Sequence, residues 1–200
     1  RVPVIRARCM GDVRGTPRLA ELASDEDIAP IWRATALERS AAMNNRQAVT
    51  LATQLLAARD PLLRVSAVRA LAALPPEQRL VYLTPLIDDP VTGVRMAVAE
   101  QLASVPFGRI DAQQRAALLP LFDEFRSIQR NHADMPSANL QLGLFHARRG
   151  DLPAAEAAYR EAVAQNPQLL SARLNLADLL RSAGREDEAR AQLTRALELN

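Results

Sequence analysis

The stretch Asn139-Leu-Gln-Leu-Gly-Leu-Phe-His-Ala-Arg-Arg-Gly150-Asp-Leu-Pro-Ala-Ala155-Glu-Ala-Ala-Tyr159-Arg-Glu-Ala162-Val-Ala-Gln-Asn-Pro167 predicts two helices joined by a short turn, and a second copy follows it. Its landmarks recur 34 residues later, so that Leu142 returns as Leu176. The other matched positions are Gly143 with Ala177, Gly150 with Gly184, Ala155 with Ala189, Tyr159 with Leu193 and Ala162 with Ala196. A single helix pair cannot bury its apolar faces, so tandem copies predict that one pair stacks on the next.

The small residues of this repeat stand where a helix pair needs them. Gly150 and Gly184 come just after the first helix of each copy, where a left-handed cap residue is favoured. Ala155 and Ala162 share one face of the second helix, where small side chains let neighbouring helices approach closely. Pro167 follows that helix, where it can no longer interrupt it.

The pattern resembles the tetratricopeptide repeat over about a third of the chain. The resemblance implies a concave groove lined by the first helix of each pair, of the kind that takes extended peptides or helices. We therefore expect the partner to be a protein or peptide in this groove, or another domain of the same polypeptide. By the same resemblance, the residues facing the groove are Leu140, Gln141, Leu144, Arg148, Leu174, Asn175, Asp178 and Arg181.

A second repeat with a shorter period occupies the first half of the chain. Arg33, Arg64 and Arg95 follow one another at intervals of 31 residues, and each opens an Ala-rich helix shortly after a proline. The aligned segments are Trp32-Arg33-Ala-Thr-Ala36-Leu37, Leu63-Arg64-Val-Ser-Ala67-Val68 and Val94-Arg95-Met-Ala-Val98-Ala99. They resemble the HEAT-like repeat from Thr16 to Val105, which is again a stack of helix pairs.

Together the two repeats predict an all-α protein, a right-handed α-solenoid of stacked helix pairs. We expect HEAT-like repeats over residues 1–106, a long connecting helix or half tetratricopeptide unit over 107–136, and two tetratricopeptide units over 137–200. Because the chain starts at Arg1 and stops before a second proline equivalent to Pro167, we expect it to be a fragment or a processed product.

Composition narrows the class of protein. Aromatic residues make up only 4% of the chain, which suits close helix packing better than a β-sandwich. All 25 basic residues are arginine, a bias that a GC-rich genome explains. The net charge of +2 and the interspersed acids argue against nucleic acid as a partner. No apolar run approaches the roughly 20 residues that span a bilayer, so we expect no membrane insertion.

The three spaced arginines have two interpretations. They form either a phosphate-binding stripe or a structural ladder, in which each arginine bonds carboxylates or carbonyl groups of the adjacent repeat. We favour the ladder, with Asp60 and Asp89 as the available carboxylates.

No constellation of catalytic or metal-binding residues stands out, and we predict a protein that is not an enzyme. His132, His146 and Cys9 have no metal-ligand spacing, and packing explains His146. The acidic clusters each precede or open a helix, where the helix dipole favours negative charge. We therefore predict no catalytic residues and no metal site.

The order of the parts carries a further resemblance. The HEAT-like segment leads through Phe125-Arg-Ser-Ile-Gln129 and Asn131-His-Ala-Asp134 into the tetratricopeptide pairs, similar to the C-terminal region of a bacterial multihaem c-type cytochrome family. That resemblance implies upstream haem-binding motifs and export to the periplasm. This chain has no Cys-x-x-Cys-His motif, so we expect no cofactor in the chain itself.

Three functional hypotheses follow. The first is a non-catalytic interaction and assembly scaffold, the solenoid region of an exported, periplasmic redox protein. The second is a stand-alone regulatory scaffold in the cytoplasm. The third and least favoured is a nucleic-acid-binding protein or enzyme built on HEAT-like repeats.

Overall fold

A computed structural model describes residues 16–43 and 46–199, with side chains from Arg18 onward, and all regular secondary structure in those residues is helical. Its first six α-helices are α1 (Thr16–Ser24), α2 (Pro30–Ala42), α3 (Arg46–Leu55), α4 (Pro61–Ala70), α5 (Pro76–Leu83) and α6 (Thr92–Leu102). The next five are α7 (Ala112–Asn131), α8 (Pro136–Arg149), α9 (Leu152–Gln165), α10 (Leu170–Ser182) and α11 (Glu186–Glu198). Short 3-10 turns cover Leu71–Ala73, Thr84–Leu86 and Phe107–Arg109. The predicted helix over Arg1 to Arg14 lies outside the described residues.

The chain divides into two compact units, Arg1–Val105 and Pro106–Asn200. In the first unit, α1 packs on α2, α3 on α4 and α5 on α6, so the described helices form three pairs. The second helices also pack on one another, α2 on α4 and α4 on α6, and this row carries the buried core. Leu37, Val68 and Val98 are fully buried in it at intervals of about 31 residues. The structure thus confirms the predicted all-α fold of stacked helix pairs.

Prolines and one aspartate set the helix starts in the first unit. Pro30, Pro61 and Pro76 each stand in the first turn, where the missing N–H costs no hydrogen bond. Helix α6 begins at Thr92, two residues after Pro90. The side chain of Asp89 accepts a hydrogen bond from the Val91 N–H, and this turn delays the start of the helix.

In the second unit, a capping box starts α7: the Asp111 side chain accepts from the Gln114 N–H, and the Gln114 side chain accepts from the Asp111 N–H. Helix α8 then packs on α9, α9 on α10 and α10 on α11. The predicted glycine caps are confirmed, since Gly150 and Gly184 have φ values of 79° and 74°. At Gly150 the Asp151 N–H donates to the His146 carbonyl at 2.9 Å, a bond that satisfies the end of α8.

The four phenylalanines of the chain all lie in one cluster of this unit. Phe125 of α7 is fully buried and stacks on Phe145 of α8, with ring centroids 4.9 Å apart. Phe122 meets Phe145 edge-on at 5.3 Å, and its ring is parallel to that of Phe107 at 6.1 Å. The guanidinium of Arg149 lies 3.9 Å above the Phe107 ring, a cation–π contact. These contacts attach α7 to the first tetratricopeptide-like pair.

Candidate functional site

The predicted groove residues lie on two helices that touch. Leu140, Gln141, Leu144 and Arg148 are on α8, and the other four are on α10. Each of these helices is the first of its pair, and α8 and α10 are in direct contact beside α9. Leu140 corresponds to Leu174 at the 34-residue step, so the two leucines occupy equivalent positions in successive pairs. We call the eight predicted residues the α8/α10 face.

The apolar residues of this face differ in how much surface they leave open. Leu140 and Leu144 are half-buried, because they pack against a cluster built from the second helix of one pair and both helices of the next. Leu174 is 41% exposed. Leu174 is therefore the apolar side chain of the face with most surface to offer a partner. The cluster itself consists of Ala155, Tyr159, Leu176, Leu179, Leu180 and Ala189.

The charged residues of the face are partly neutralised within it. Arg181 donates to the Asp178 carboxylate at 3.0 Å, and both side chains are well exposed. Asp178 therefore does not present an unbalanced negative charge to a partner. Arg148 is exposed at the end of α8, and the amide side chains of Gln141 and Asn175 are half-buried.

Tyr159 of α9 packs against α8, one of the two helices that carry the α8/α10 face. Its side chain is 2% exposed, and its ring lies against the backbone of Gly143. A Cβ atom built at Gly143 would come within 2.4 Å of the ring carbons Cδ1 and Cε1. Burial raises the pKa of Tyr159 to about 12, and the charge of nearby Arg148 opposes that rise. Gly143 is thus required by packing rather than by backbone conformation.

In the first unit, one of the three spaced arginines forms a buried ion pair. Arg64 Nε donates to Asp89 Oδ2 at 2.8 Å, and Nη2 donates to Oδ1 at 3.0 Å. The two side chains are 11% and 4% exposed. Arg64 Nη1 also donates to the carbonyl of Ala58 at 2.8 Å, so the side chain ties α4 to the loops on both sides. Burial alone would raise the pKa of Asp89, but the bonds from Arg64 and Val91 and the charges of Arg64 and Arg95 hold it below its ordinary value.

The other two arginines bind carbonyl groups instead. Arg33 Nε donates to the Ala23 carbonyl at 3.1 Å, and Arg95 Nη1 donates to the Asp89 carbonyl at 2.7 Å. Asp60 was the second predicted ladder carboxylate, yet it caps α4 by accepting from the Leu62 N–H at 2.8 Å. Periodicity alone identified the arginines correctly and could not tell which aspartate would reach one of them.

The side chain of His146 contacts an aromatic ring and a carboxylate. Its ring meets Phe145 edge-on, and its Nδ1 lies 3.4 Å from the Asp151 carboxylate. Burial lowers the pKa of His146, Asp151 opposes this, and the charges of Arg126 and Arg130 lower it further. Within the described residues, no three His, Cys, Asp or Glu side chains converge as metal ligands do. Over the same part of the chain, every helix is too short or too polar to cross a membrane.

Comparisons with known proteins agree with the repeat at the end of the chain. Residues 134–200 match the model of the tetratricopeptide repeat family. A solved structure of a MamA mutant is similar over 88% of this chain and 100% of its own, with 18% identity and a TM-score of 0.44. No curated protein matches the chain. The predicted tetratricopeptide resemblance is confirmed for residues 134–200.

Proposed function

We propose that this protein is a non-catalytic scaffold for protein–protein interaction and that the α8/α10 face binds its partner. The observation that carries the proposal is Leu174, an exposed apolar side chain on the first helix of a pair that matches the tetratricopeptide repeat model. A leucine exposed on the groove-lining helix of such a pair is available for contact with an extended peptide or a helix.

The surroundings of Leu174 define the chemistry of the partner. The half-buried amides of Gln141 and Asn175 can donate to and accept from the backbone of an extended segment or the end of a helix. Arg148 adds a cation at one end of the face, and the Asp178–Arg181 pair is neutral as a unit. We infer a peptide segment with an aliphatic anchor for Leu174 and an acidic residue for Arg148, from another protein or from another domain of the same polypeptide.

A matched pair of double variants tests this proposal. Leu174→Ser with Arg148→Ser removes the anchor and the cation from the α8/α10 face. Leu193→Ser with Arg190→Ser makes the same chemical changes on α11, where Leu193 is 42% exposed. We expect the first variant to lose the captured partner and the second to keep it, with the helical circular dichroism spectrum of both unchanged. Equal capture by both variants would contradict the proposal.

We further propose that the scaffold is the non-haem region of an exported multihaem cytochrome-like protein and therefore periplasmic. The ground for this proposal is the resemblance in the order of repeats along the sequence. The test is a reduced-minus-oxidised visible spectrum of the intact gene product, made with haem-maturation machinery. Sharp c-type haem bands support the assignment. A featureless spectrum from a host with working haem maturation removes it and leaves the stand-alone cytoplasmic scaffold.

A further inference from the structure

The ion pair of the first unit has an incomplete copy one repeat earlier. At the 31-residue step Arg64 corresponds to Arg33, and Asp89 corresponds to Ala58. The earlier copy therefore has the arginine and lacks the carboxylate. Asp60 cannot replace it from the same position, because Asp60 corresponds to Val91 and its side chain caps α4.

A cavity lies where the missing carboxylate would be. Its volume is about 620 Å³, and both Arg33 and Ala58 line it. Leu55 and Leu63 give it apolar walls, and Gln54 adds an amide. A volume of this size is within the range of small-molecule sites in proteins. In the complete copy the buried carboxylate of Asp89 occupies the corresponding place beside Arg64.

The guanidinium of Arg33 has hydrogen-bonding capacity to spare at this cavity. Its Nε donates to the Ala23 carbonyl, and within residues 16–43 and 46–199 no hydrogen bond involves its Nη1 or Nη2. Both terminal nitrogens of Arg64, by contrast, are engaged, one with Asp89 and one with carbonyl groups. A guanidinium edge presents parallel N–H groups that match the two oxygens of a carboxylate.

The four charged residues that line the cavity, Arg33 among them, sum to zero. Arg59 contributes a second cation, and Glu26 and Asp60 contribute two anions. Net attraction for anions is therefore small, and selectivity must come from the directed N–H groups of Arg33. A bidentate pair of this kind recognises a carboxylate by its planar shape as well as by its charge.

We propose that the cavity beside Arg33 binds a carboxylate group supplied from outside the chain, which takes the place that Asp89 takes beside Arg64. The carboxylate belongs either to a small carboxylic acid or to an acidic side chain of a peptide. The site is separate from the α8/α10 face, and its ligand completes a contact between the first and second helix pairs. Binding should therefore also stabilise the first unit.

The direct test is a titration of the full chain with glutarate at constant ionic strength, followed by the arginine side-chain nuclear magnetic resonance signals. We expect a saturable shift of the Arg33 signal that sodium chloride does not produce. Arg33→Gln should weaken glutarate binding about tenfold or more, the loss expected for a charged hydrogen-bonded pair. No saturable shift at Arg33 would overturn the proposal.

A second variant tests the site without removing Arg33. Ala58→Asp supplies the carboxylate from the chain, so we expect glutarate binding to be lost and the thermal midpoint to rise. Ala72→Asp is the matched control, because Ala72 is exposed and does not line this cavity. The control should bind glutarate as the original chain does. Unchanged glutarate binding by Ala58→Asp would contradict the assigned position.

Two peptides distinguish the sources of the carboxylate. The blocked peptide Ala-Ala-Glu-Ala-Ala is compared with its Gln counterpart and with glutarate. Tighter binding of the Glu peptide than of glutarate supports the site and identifies a protein segment as the source. Tighter binding of glutarate supports the site and identifies a small acid. Failure of both to bind in an Arg33-dependent manner overturns the proposal.

Discussion

Both units bury apolar side chains between successive helix pairs, but the first unit adds a buried ion pair and the second adds the close packing of an aromatic ring on a glycine. Arg64 and Asp89 join α4 to the loop before α6, with both side chains nearly removed from solvent. In the second unit Tyr159 stands at the centre of the contact, and its ring lies on the bare backbone of Gly143. The same architecture is therefore stabilised by a buried charge pair as well as apolar burial in the first unit, and by closely fitted shapes in the second.

The largest effect that separates the two units should come from Arg64→Ala. The substitution leaves the Asp89 carboxylate buried without its partner, which costs about 3–5 kcal/mol of unfolding free energy. Trp32 is the single tryptophan and lies in α2, so urea unfolding followed by its fluorescence reports on the first unit. Arg33→Ala is the matched control and should cost much less, since no carboxylate among the described residues is bonded to Arg33. Equal losses of unfolding free energy in the two variants would show that the buried carboxylate is not what makes the Arg64 contact stabilising.

Alkaline titration should weaken the second unit through Tyr159. The folded pKa of about 12 lies above the ordinary value of 10.0, so the folded state holds the phenol proton more tightly than the unfolded state does. The stabilisation is complete below pH 10 and is lost as pH rises through 12, a loss of about 3 kcal/mol at 1.36 kcal/mol per pKa unit. Tyrosinate absorbance in a Tyr82→Phe background measures the titration of Tyr159 alone. A midpoint near pH 10 would contradict the buried environment.

Acid titration should act on the first unit instead. The pKa of Asp89 is depressed, so its stabilisation is present above the ordinary carboxylate pKa and is lost as pH falls through the lower folded value. Other carboxylates titrate in the same range, and the informative quantity is the difference between the original chain and Asp89→Asn. We expect that difference in unfolding free energy to shrink as the pH falls below 3.8. A difference independent of pH would show that the carboxylate charge is not what stabilises the contact.

Gly143→Ala tests shape in the second unit. The new methyl group would approach the Tyr159 ring within 2.4 Å, so the helices must separate, at a cost of about 1–3 kcal/mol. The second copy shows how this clash is avoided, since Ala177 occurs there together with Leu193. Adding Tyr159→Leu to Gly143→Ala reproduces that combination and should recover part of the loss in chemical denaturation. No recovery would mean that the alanine clashes with something other than the ring.

The smallest effect should come from the surface ion pairs around Arg185. Arg185 binds Glu188 at 2.6 Å and Glu156 at 2.7 Å, linking the start of α11 to α9. These charges lie at the protein surface, where solvent and salt screen them. Arg185→Ala should therefore shift the thermal midpoint less than Gly143→Ala does, and the shift should vanish in high salt. A larger or salt-independent shift would assign the surface pairs a role equal to that of the Tyr159 cluster.

The sequence predicted the second unit better than the first, for a physical reason. Gly150, Ala155 and Ala162 are needed at fixed positions by backbone conformation and by packing, and each recurs unchanged 34 residues later, so the repeat is visible in the sequence. The first unit also repeats, and its helix pairs were predicted correctly. Its ion pair depends on which aspartate side chain reaches Arg64 across 25 residues of chain, and periodicity does not encode that reach.

The groove residues show the same division between what a repeat pattern predicts and what side-chain geometry decides. The tetratricopeptide resemblance placed the eight residues on the first helix of each pair, and these helices, α8 and α10, touch in the structure. It could not distinguish Leu144, which is partly used to hold the next pair, from Leu174, which is open. That division depends on how the second pair packs on the first. The sequence could not predict the Asp178–Arg181 ion pair either. The spacing of the two residues allows the bond, but the side-chain geometry decides whether it forms.

Site-specific photo-crosslinking tests directly whether the α8/α10 face binds a protein partner. A benzophenone side chain is placed at position 174 or at position 193, two leucines with exposures of 41% and 42% in the same unit. The two proteins are irradiated in cells that produce the native partner. We expect a discrete crosslinked species from position 174 and none from position 193. A crosslinked species from position 193 alone would contradict the proposal that the α8/α10 face binds the partner. It would assign partner binding to α11.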